Sequence, residues 1–288
     1  MSVSPAVVPS LKLASEAPAG LKLHPRGAAM LRCPCCGGAV RFEPAGLRCD
    51  QAGCDARFPI VDGVPVLIDD GRSVFSVDDF TAKKDTFFEA APPRWKQVVR
   101  GMIPSASRNL KSRGNYARLR ELLQRLPHRP VVLVVGGSIR GEGMGDLAEH
   151  VDLVETDVSF GPFTQLICDG HDLPFVDGAF DAVVVQAVLE HVVDPARCVS
   201  EVVRVLGDDG LVYAETPFMQ QVHGGAYDFT RFSHLGHRRL FRDFAEIDSG
   251  AVCGPGMALA WAWKYFLMSF ARGPRSRSML DNLARLSG

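Results

Sequence analysis

The sequence predicts a doubly wound α/β domain preceded by a small cysteine-rich unit, and three observations support that fold class. Strand-like and helix-like segments alternate from residue 116 onward. The strands are near-continuous aliphatic runs such as VVLVV and AVVV, which suit parallel strands covered by helices on both faces. Five of the eight cysteines fall between residues 33 and 54, which predicts the small unit.

Composition excludes several function classes. With 288 residues, of which 47% are hydrophobic and 23% charged, the chain can bury one large core and a smaller one. Lys and Arg number 32 against 33 Asp and Glu, so the surface is not that of a polyanion binder, and we expect no nucleic-acid partner. The first thirty residues lack the apolar run of a secretory signal, which predicts a cytoplasmic protein.

Changes in composition and hydrophobic pattern divide the sequence into five segments. They are a disordered leader (1–30), a cysteine-rich unit (31–70), a helical connector (71–115), the α/β domain (116–250) and an apolar and basic C-terminal segment (251–288). The leader carries four prolines and no hydrophobic period. The cysteine-rich unit ends in FPIVDGVPVLI, where apolar residues surround an Asp62-Gly63 turn. Prolines among the aromatic and basic residues of the connector predict short helices.

Within the α/β domain, leucines at helical spacing predict a helix over 117–126, which Pro127 ends. The elements predicted after it are strands at 131–135, 151–157, 164–168, 180–185 and 211–215, and a helix at 195–206. This alternation is typical of a parallel sheet with helices on both faces.

The cysteines form two closely spaced pairs. CPCC at 33–36 offers a C-x2-C pair, and CDQAGC at 49–54 offers a C-x4-C pair. Two such turns can converge on one tetrahedral zinc ion with no open position, which is a structural site. The predicted ligands are Cys33, Cys36, Cys49 and Cys54. An x2 spacing lets both thiols of the first turn face the metal, so Cys35 would be a spare. Buried or redox-active thiols and an iron–sulfur cluster are the alternatives.

The segments LRCPCCGG and LRCDQAGCDARFPIVDGVPVLID resemble the small zinc-ribbon proteins that activate tRNA and release-factor methyltransferases. They are also similar to ribbons fused to the front of bacterial methyltransferases. The resemblance covers about forty residues. It implies a module for stability or for contact with a protein partner rather than a catalytic centre.

A glycine-rich turn, GGSIRGEG at 136–143, follows the VVLVV strand. Glycines there let a cofactor approach the backbone closely. Asp157 ends the next strand, where a carboxylate can accept both ribose hydroxyls of an adenosine. Together these features predict a Rossmann-like nucleotide site.

The following residues show a more specific resemblance. CDGHDLPF, then FDAVVVQAVLEHV, then RVL before a glycine turn, resemble class I S-adenosylmethionine-dependent methyltransferases over residues 117–248. By this resemblance Asp157 would bind the ribose, Asp169 and Gly170 would border the adenine, and Gly136, Gly137 and Gly141 would line the methionine moiety.

Two positions depart from the family. Val134 stands where an acidic residue often holds the ammonium group of the cofactor, and Ser138 replaces a glycine. The ammonium contact must therefore come from elsewhere. A nicotinamide dinucleotide is the competing cofactor, but the order from LPF to LEHV is not that of a dehydrogenase.

The candidate catalytic residues are His191, His223, Asp228 and Arg231. His191 follows the fourth strand at the sheet edge where open α/β folds bind ligands, and it can act as a base. A packed histidine that orients the cofactor loop is the favoured alternative. The segment DFTRF at 228–232 resembles part of the acceptor-side cap of such methyltransferases, against the alternative of a surface Asp228–Arg231 pair.

The C-terminal segment contains GMALAWAWKYFLMSFA at 256–271, followed by the basic RGPRSRS. Its apolar run is short for a membrane span and has a central lysine. We expect burial against the preceding domain, with peripheral membrane contact as the alternative.

The sequence thus predicts an S-adenosylmethionine-dependent methyltransferase with a structural zinc site. Its expected acceptor is a small molecule, a glycan or a lipid. An RNA or protein methyltransferase is one alternative. The other is a non-catalytic adaptor that acts through the ribbon.

Overall fold

The computed structural model describes residues 18–84, 109, 111–223 and 225–287. The first 17 residues of the predicted leader and residues 85–108 and 110 of the predicted connector lie outside the described residues.

The described residues form eight helices and ten strands. The helices are α1 (Pro25–Ala29), α2 (Val77–Thr81), α3 (Ser112–Leu123), α4 (Met144–Ala148), α5 (Pro195–Val205), α6 (His234–Leu240), α7 (Pro255–Met268) and α8 (Pro274–Ser287). The strands are β1 (Val40–Glu43), β2 (Gly46–Cys49), β3 (Arg57–Phe58), β4 (Ile60–Val61), β5 (Val64–Leu67), β6 (Val131–Val135), β7 (Asp152–Asp157), β8 (Leu166–Cys168), β9 (Phe180–Gln186) and β10 (Leu206–Glu215).

A seven-stranded sheet in the order β10-β9-β6-β7-β8-β5-β4 organises the fold. Every neighbouring pair is parallel except β4 and β5. The predicted doubly wound α/β fold is therefore confirmed. A separate antiparallel sheet, β1-β2-β3, carries part of the cysteine-rich ribbon.

Alternate residues of the central strands face two different cores. Val132 and Val134 of β6 pack with Tyr116 and Leu119 of α3. Leu133 packs on the other face, in the core that contains the buried residues of α5. Pro195 at the first turn and the Asp194 side chain, which accepts the Arg197 N–H, begin that helix. The long aliphatic runs follow from this double coverage.

The ribbon is joined to the large sheet rather than suspended from it. The predicted Asp62-Gly63 turn is present, with positive φ at both residues, and it connects β4 to β5. Strand β5 then pairs in parallel with β8, placing Val66 opposite Ile167. The ribbon core and the core of the α/β domain are consequently continuous.

The N-terminal segment takes the place of a crossover helix. Residues 158–165 connect the parallel strands β7 and β8 and contain no helix, because they are shorter than an ordinary crossover. Helix α1 covers the exposed face instead, and a Cβ on Gly27 would lie 3.0 Å from Val154 Cγ2. Residues 18–30 of the predicted leader thus belong to the fold, with Leu23 and Ala28 in the core.

The C-terminal helices form a hairpin, and the Lys264 ammonium lies 3.1 Å from the Asp281 carboxylate. No residue of α7 is buried, so the expected burial of 256–271 against the preceding domain is not found. Among the described residues, the extensive packing of α7 is against α8. None of the helices in the described ranges is long and apolar enough to cross a membrane.

Candidate functional site

The glycine turn after β6 is closely packed. Gly136 has φ +76°, and a Cβ there would lie 2.4 Å from Val188 Cγ2. The Gly137 N–H donates to the Thr156 carbonyl at 2.8 Å, which holds the turn against β7. A side chain at Gly136 would therefore clash with Val188, and Gly137 must keep its backbone close to β7. Both requirements come from packing within the protein itself.

Asp157 lies beside this turn at the end of β7. The residue is 7% exposed, and its Oδ2 accepts the backbone N–H of Ser138 at 2.9 Å. Burial raises the pKa of Asp157, although the backbone N–H groups that it accepts oppose that shift. Ser138, one of the two residues that depart from the family pattern, is thus held in place by Asp157, the residue predicted to bind the ribose.

Asp169 lies after β8, on the neighbouring strand. Its Oδ1 accepts the His171 N–H at 3.0 Å, and its Oδ2 accepts the Ser73 hydroxyl at 2.5 Å. Burial opposes ionisation of Asp169, but the hydrogen bonds from His171 and Ser73 outweigh it and hold its pKa below the usual value. Ser73 comes from the segment after the ribbon, so that segment borders the predicted adenine site.

The other two predicted glycines also lie close to protein atoms. A Cβ on Gly141 would lie 2.9 Å from Gln186 Oε1, and one on Gly170 would lie 3.2 Å from Cys198 Sγ. The glycine turn, Asp157 and Asp169 stand at the carboxyl ends of three adjacent strands. This is the edge where open α/β sheets bind ligands.

An ion pair between a half-buried guanidinium and a buried carboxylate stabilises the glycine turn. The Arg140 guanidinium donates to both oxygens of Glu155, at 2.6 and 2.8 Å, and Glu155 is 1% exposed. The Phe163 ring lies 4.2 Å from the guanidinium carbon. Because bidentate geometry compensates for desolvation of the carboxylate, this pair fixes the turn on β7.

The acceptor-side candidates lie together beyond β9. The backbone N–H of His191 donates to the Val188 carbonyl at 2.8 Å. Because Val188 also packs on Gly136, this hydrogen bond links the cluster to the glycine turn. His191 Nε2 lies 3.2 Å from His223 Nε2. Glu190 beside them is 0% exposed, and burial raises its pKa to about 7.

Asp228 and Arg231 form a nearly buried pair that supports His223. The Arg231 guanidinium donates to both Asp228 oxygens, at 2.6 and 3.0 Å, and the Asp228 side chain is 2% exposed. Asp228 Oδ2 also accepts the His223 N–H at 2.8 Å. The alternative of a solvated surface pair is therefore wrong for Asp228. An open cavity of about 380 Å³ adjoins the pair, lined by residues 218–222 and 228–231.

The predicted metal ligands also converge. The Sγ atoms of Cys33, Cys36, Cys49 and Cys54 all lie within 4.8 Å of one another. The Cys33–Cys54 and Cys36–Cys49 sulfur distances are 3.9 and 3.4 Å. Four sulfurs around one zinc ion at ~2.3 Å would lie about 3.8 Å apart. The N–H groups of Gly38 and Gln51 point at two of these sulfurs, as expected for thiolates.

Residues 144–214 match a protein family that is described as a methyltransferase domain. This similarity to a methyltransferase domain covers 71 of the 288 residues. The match runs from the start of α4 into β10, and so begins after both departures from the family pattern, Val134 in β6 and Ser138 in the glycine turn.

Solved structures similar to this chain include the complex between the Haloferax volcanii Trm112 methyltransferase activator and a protein described as a methyltransferase. The matched chain of that complex is 23% identical to this one. The match covers 56% of this chain and 82% of the matched chain, with a TM-score of 0.36. The 1,6-didemethyltoxoflavin-N1-methyltransferase of Burkholderia thailandensis is 14% identical, with 58% and 86% covered and a TM-score of 0.37. A comparison with curated proteins finds no match.

The residues of the candidate site that could not be identified from the sequence are Ser73, Arg140, Glu155 and Glu190. Arg140 lies within the glycine-rich turn, and a charged residue there was the available signal for a buried partner. Glu190 is adjacent to His191 in LEHV and gave the same kind of signal. Ser73 gave none, because its contact depends on how the ribbon docks.

Proposed function

We propose that this chain is an S-adenosylmethionine-dependent methyltransferase acting on a small-molecule, glycan or lipid acceptor. The observation that carries the proposal is the adjacency of two polar clusters at one sheet edge. One comprises the glycine turn, Asp157 and Asp169, and the other contains His191 and His223. Val188 contacts the first cluster and hydrogen-bonds the second, so a donor and an acceptor could meet between them.

The residues on the donor side fit the cofactor. A carboxylate has about four acceptor positions, and the backbone N–H groups of Ser138, Val158 and Ser159 already donate to Asp157, so a ribose hydroxyl could bind only at the position that remains. Asp169 and Gly170 would border the adenine, and the glycine turn the methionine moiety. S-adenosylmethionine bound there would supply a methyl group on a positively charged sulfur.

On the acceptor side, His191 is held as a proton acceptor. Its Nδ1 faces the Tyr227 carbonyl at 2.6 Å, and a carbonyl can only accept, so Nδ1 carries the hydrogen and Nε2 the lone pair. Burial lowers the pKa of His191, which keeps the ring neutral near pH 7. Its Nε2 could take the proton of a hydroxyl or amine acceptor. Asp228 and Arg231 are positioning residues in this proposal, because they hold His223 and the segment before it.

Calorimetric titration with S-adenosylmethionine and S-adenosylhomocysteine tests the donor side. We expect binding tighter than roughly 100 μM, or about −5.5 kcal/mol. Asp157→Asn should weaken it at least tenfold, because the amide loses the charge that the ribose hydroxyls donate to. Asp209→Asn, an exposed carboxylate on β10, is the control and should leave affinity unchanged. Absence of binding would overturn the proposal and favour the non-catalytic adaptor, whose support is Val134 in place of the family's acidic residue.

The zinc ion is proposed to bind at the four converging cysteines, where it would be structural. Burial raises the pKa of Cys33 and Cys49 to about 12, so a cation is needed to keep them as thiolates at neutral pH. Strand β5, at the end of the ribbon, pairs with β8 of the large sheet, and this supports a stabilising role within the chain. A separate protein partner for the ribbon remains a prediction.

The C-terminal hairpin supports an acceptor with an apolar part, presented at a lipid surface. Leu259, Trp263 and Phe266 recur at helical spacing on α7 and are 72%, 38% and 54% exposed. The neighbouring exposed basic residues are Arg272, Arg275 and Arg277. An apolar face bordered by arginines complements an anionic membrane surface. Trp261 of the same helix lies 6.3 Å from the His223 ring, so the hairpin borders the acceptor site.

Flotation with vesicles tests this contact. We expect the full chain to float with vesicles containing anionic lipid, and Trp263→Ser with Phe266→Ser to reduce the bound fraction at least fivefold. Leu235→Ser, which removes a more exposed apolar side chain on α6, is the control and should float as the wild type does. Equal flotation of the hairpin variant, or none for the wild type, would contradict membrane contact.

A further inference from the structure

Three side chains of the acceptor cluster have the arrangement of a metal site. A carboxylate oxygen of Glu190 and one ring nitrogen each of His191 and His223 lie within 4.8 Å of one another. This cluster is separate from the four cysteines and shares no residue with them. Nothing in the proposed methyl transfer requires a metal here.

The histidine tautomers favour metal binding. His191 Nδ1 faces the Tyr227 carbonyl at 2.6 Å, and His223 Nδ1 faces the Gln221 carbonyl at 3.1 Å. The Arg231 guanidinium lies farther from His223 Nδ1, at 3.4 Å. Carbonyl oxygens accept hydrogen bonds, so both Nδ1 atoms carry hydrogens and both Nε2 atoms carry lone pairs. Nδ1–H bound to a backbone carbonyl is the usual support of a metal-binding histidine.

The distance between the two lone pairs also matches. His191 Nε2 and His223 Nε2 are 3.2 Å apart, although neither has a hydrogen to donate to the other. Two nitrogens bound to one zinc ion at ~2.0–2.1 Å in tetrahedral geometry would lie about 3.3 Å apart. A cation shared by the two rings therefore turns an unfavourable contact into a favourable one.

Glu190 supplies the independent observation. Its side chain is 0% exposed, and neither carboxylate oxygen has a hydrogen-bond partner within the described part of the chain. Oε1 lies 3.7 Å from His191 Nε2. The position is firmly held, because the Glu190 carbonyl accepts the N–H groups of Phe229 and Thr230. A buried carboxylate without a partner is costly, and a cation at the two imidazoles would satisfy it.

We propose that Glu190, His191 and His223 bind a divalent first-row metal ion such as Zn²⁺. Two imidazoles and one carboxylate are a donor set that such ions take, and three protein ligands leave a position open. Asp228 lies beside His223 but is paired with Arg231, so it is not counted as a ligand. Metal and proton compete for the same Nε2 atoms, so the bound metal would replace His191 as the group that activates the acceptor.

A cavity lined in part by Val222 and Asp228 adjoins His223, because Asp228 accepts the backbone N–H of that residue. A hydroxyl oxygen of the acceptor could bind at the open position of the metal, and coordination lowers the pKa of a bound hydroxyl. This role rests on the proposed function, whereas the metal site does not. It points to acceptors with an oxygen that can coordinate a metal, such as an alcohol, a phenol or a sugar hydroxyl.

Counting metal equivalents on the full chain tests the site. Equilibrium dialysis against Zn²⁺ should give two zinc ions per wild-type chain and one for His223→Ala and for His191→Ala. His150→Ala, which removes a half-buried histidine that follows α4 and is not among the converging metal-binding groups, is the control and should keep two. Titration with Co²⁺ separates the two sites, because only the ribbon gives intense sulfur-to-metal absorption. That absorption should persist in His223→Ala while the second equivalent is lost.

One equivalent in the wild type, or two in both histidine variants, would overturn the metal site. Thermal unfolding of each variant shows whether the chain is folded, and Glu190→Gln gives a second test that leaves both histidines in place. Glu190→Gln should weaken the affinity for the second zinc ion at least tenfold. These outcomes do not depend on cofactor binding, so failure of the metal site is distinguishable from failure of the calorimetric titration.

Discussion

Removal of metal from the cysteine ribbon is expected to destabilise the whole α/β domain. Structural zinc contributes folding free energy directly, because the unfolded chain has no formed site. The ribbon core is continuous with the core of the large sheet, and Val66 and Leu67 of β5 are both 0% exposed. If separation of β5 from β8 costs ~4 kcal/mol, the Tm of a domain of this size falls by about 8–16 °C.

Circular dichroism during heating measures this effect in the zinc-loaded wild type, the chelated protein and Cys36→Ser. The expected result is one transition that moves to lower temperature as a unit. Cys35→Ser is the matched control, since Cys35 is exposed and is not among the converging thiols. Its Tm should equal that of the wild type. A chelated protein whose main transition does not move would show that ribbon and sheet fold independently.

The second large effect is expected from Arg140→Met. The substitution keeps much of the apolar side chain but leaves the Glu155 carboxylate, which is 1% exposed, without its bidentate partner. Removal of one member of a buried ion pair costs about 3–5 kcal/mol, mostly as the desolvation of the charge left behind. We therefore expect a loss of about that size in the free energy of unfolding.

Urea unfolding of a short mutant series separates the causes. The double variant Arg140→Met with Glu155→Gln should recover most of the loss, because no charge is then buried alone. Arg118→Met breaks an exposed pair with Glu121 and should cost no more than about 1 kcal/mol. A double variant as unstable as the single one would indicate that packing against Phe163, rather than charge, is what Arg140 contributes.

Periodic and spaced features could be predicted from the sequence. The aliphatic runs predicted β6, β7 and β9, and the strand predicted at 211–215 belongs to the longer β10, which begins at Leu206. Helix α3 begins at Ser112, five residues before its predicted start, because the Asn109 side chain accepts the N–H groups that open it. The spacing of the cysteines predicted which four thiols converge. These features depend on residues near one another in the chain.

Long-range docking could not be predicted. Pairing of β5 with β8, the contact of Gly27 with Val154, and the Ser73–Asp169 hydrogen bond each join residues about a hundred positions apart. A hydrophobic run shows that a strand is buried but not which strand it pairs with. For the same reason the sequence predicted His191 and His223 as candidates without showing that their Nε2 atoms face each other.

The pairing of β5 with β8 also orders events during synthesis. The ribbon leaves the ribosome complete, yet the strand that it pairs with is made roughly 100 residues later, or about 5–20 s at typical elongation rates. During that interval the β5 edge has open N–H and C=O groups, and early metal binding would keep the ribbon compact. Once β8 emerges, the ribbon offers it a preformed edge, so the first folded part of the chain serves as a template for one side of the sheet, while β9 and β10, which are made last, complete the other side.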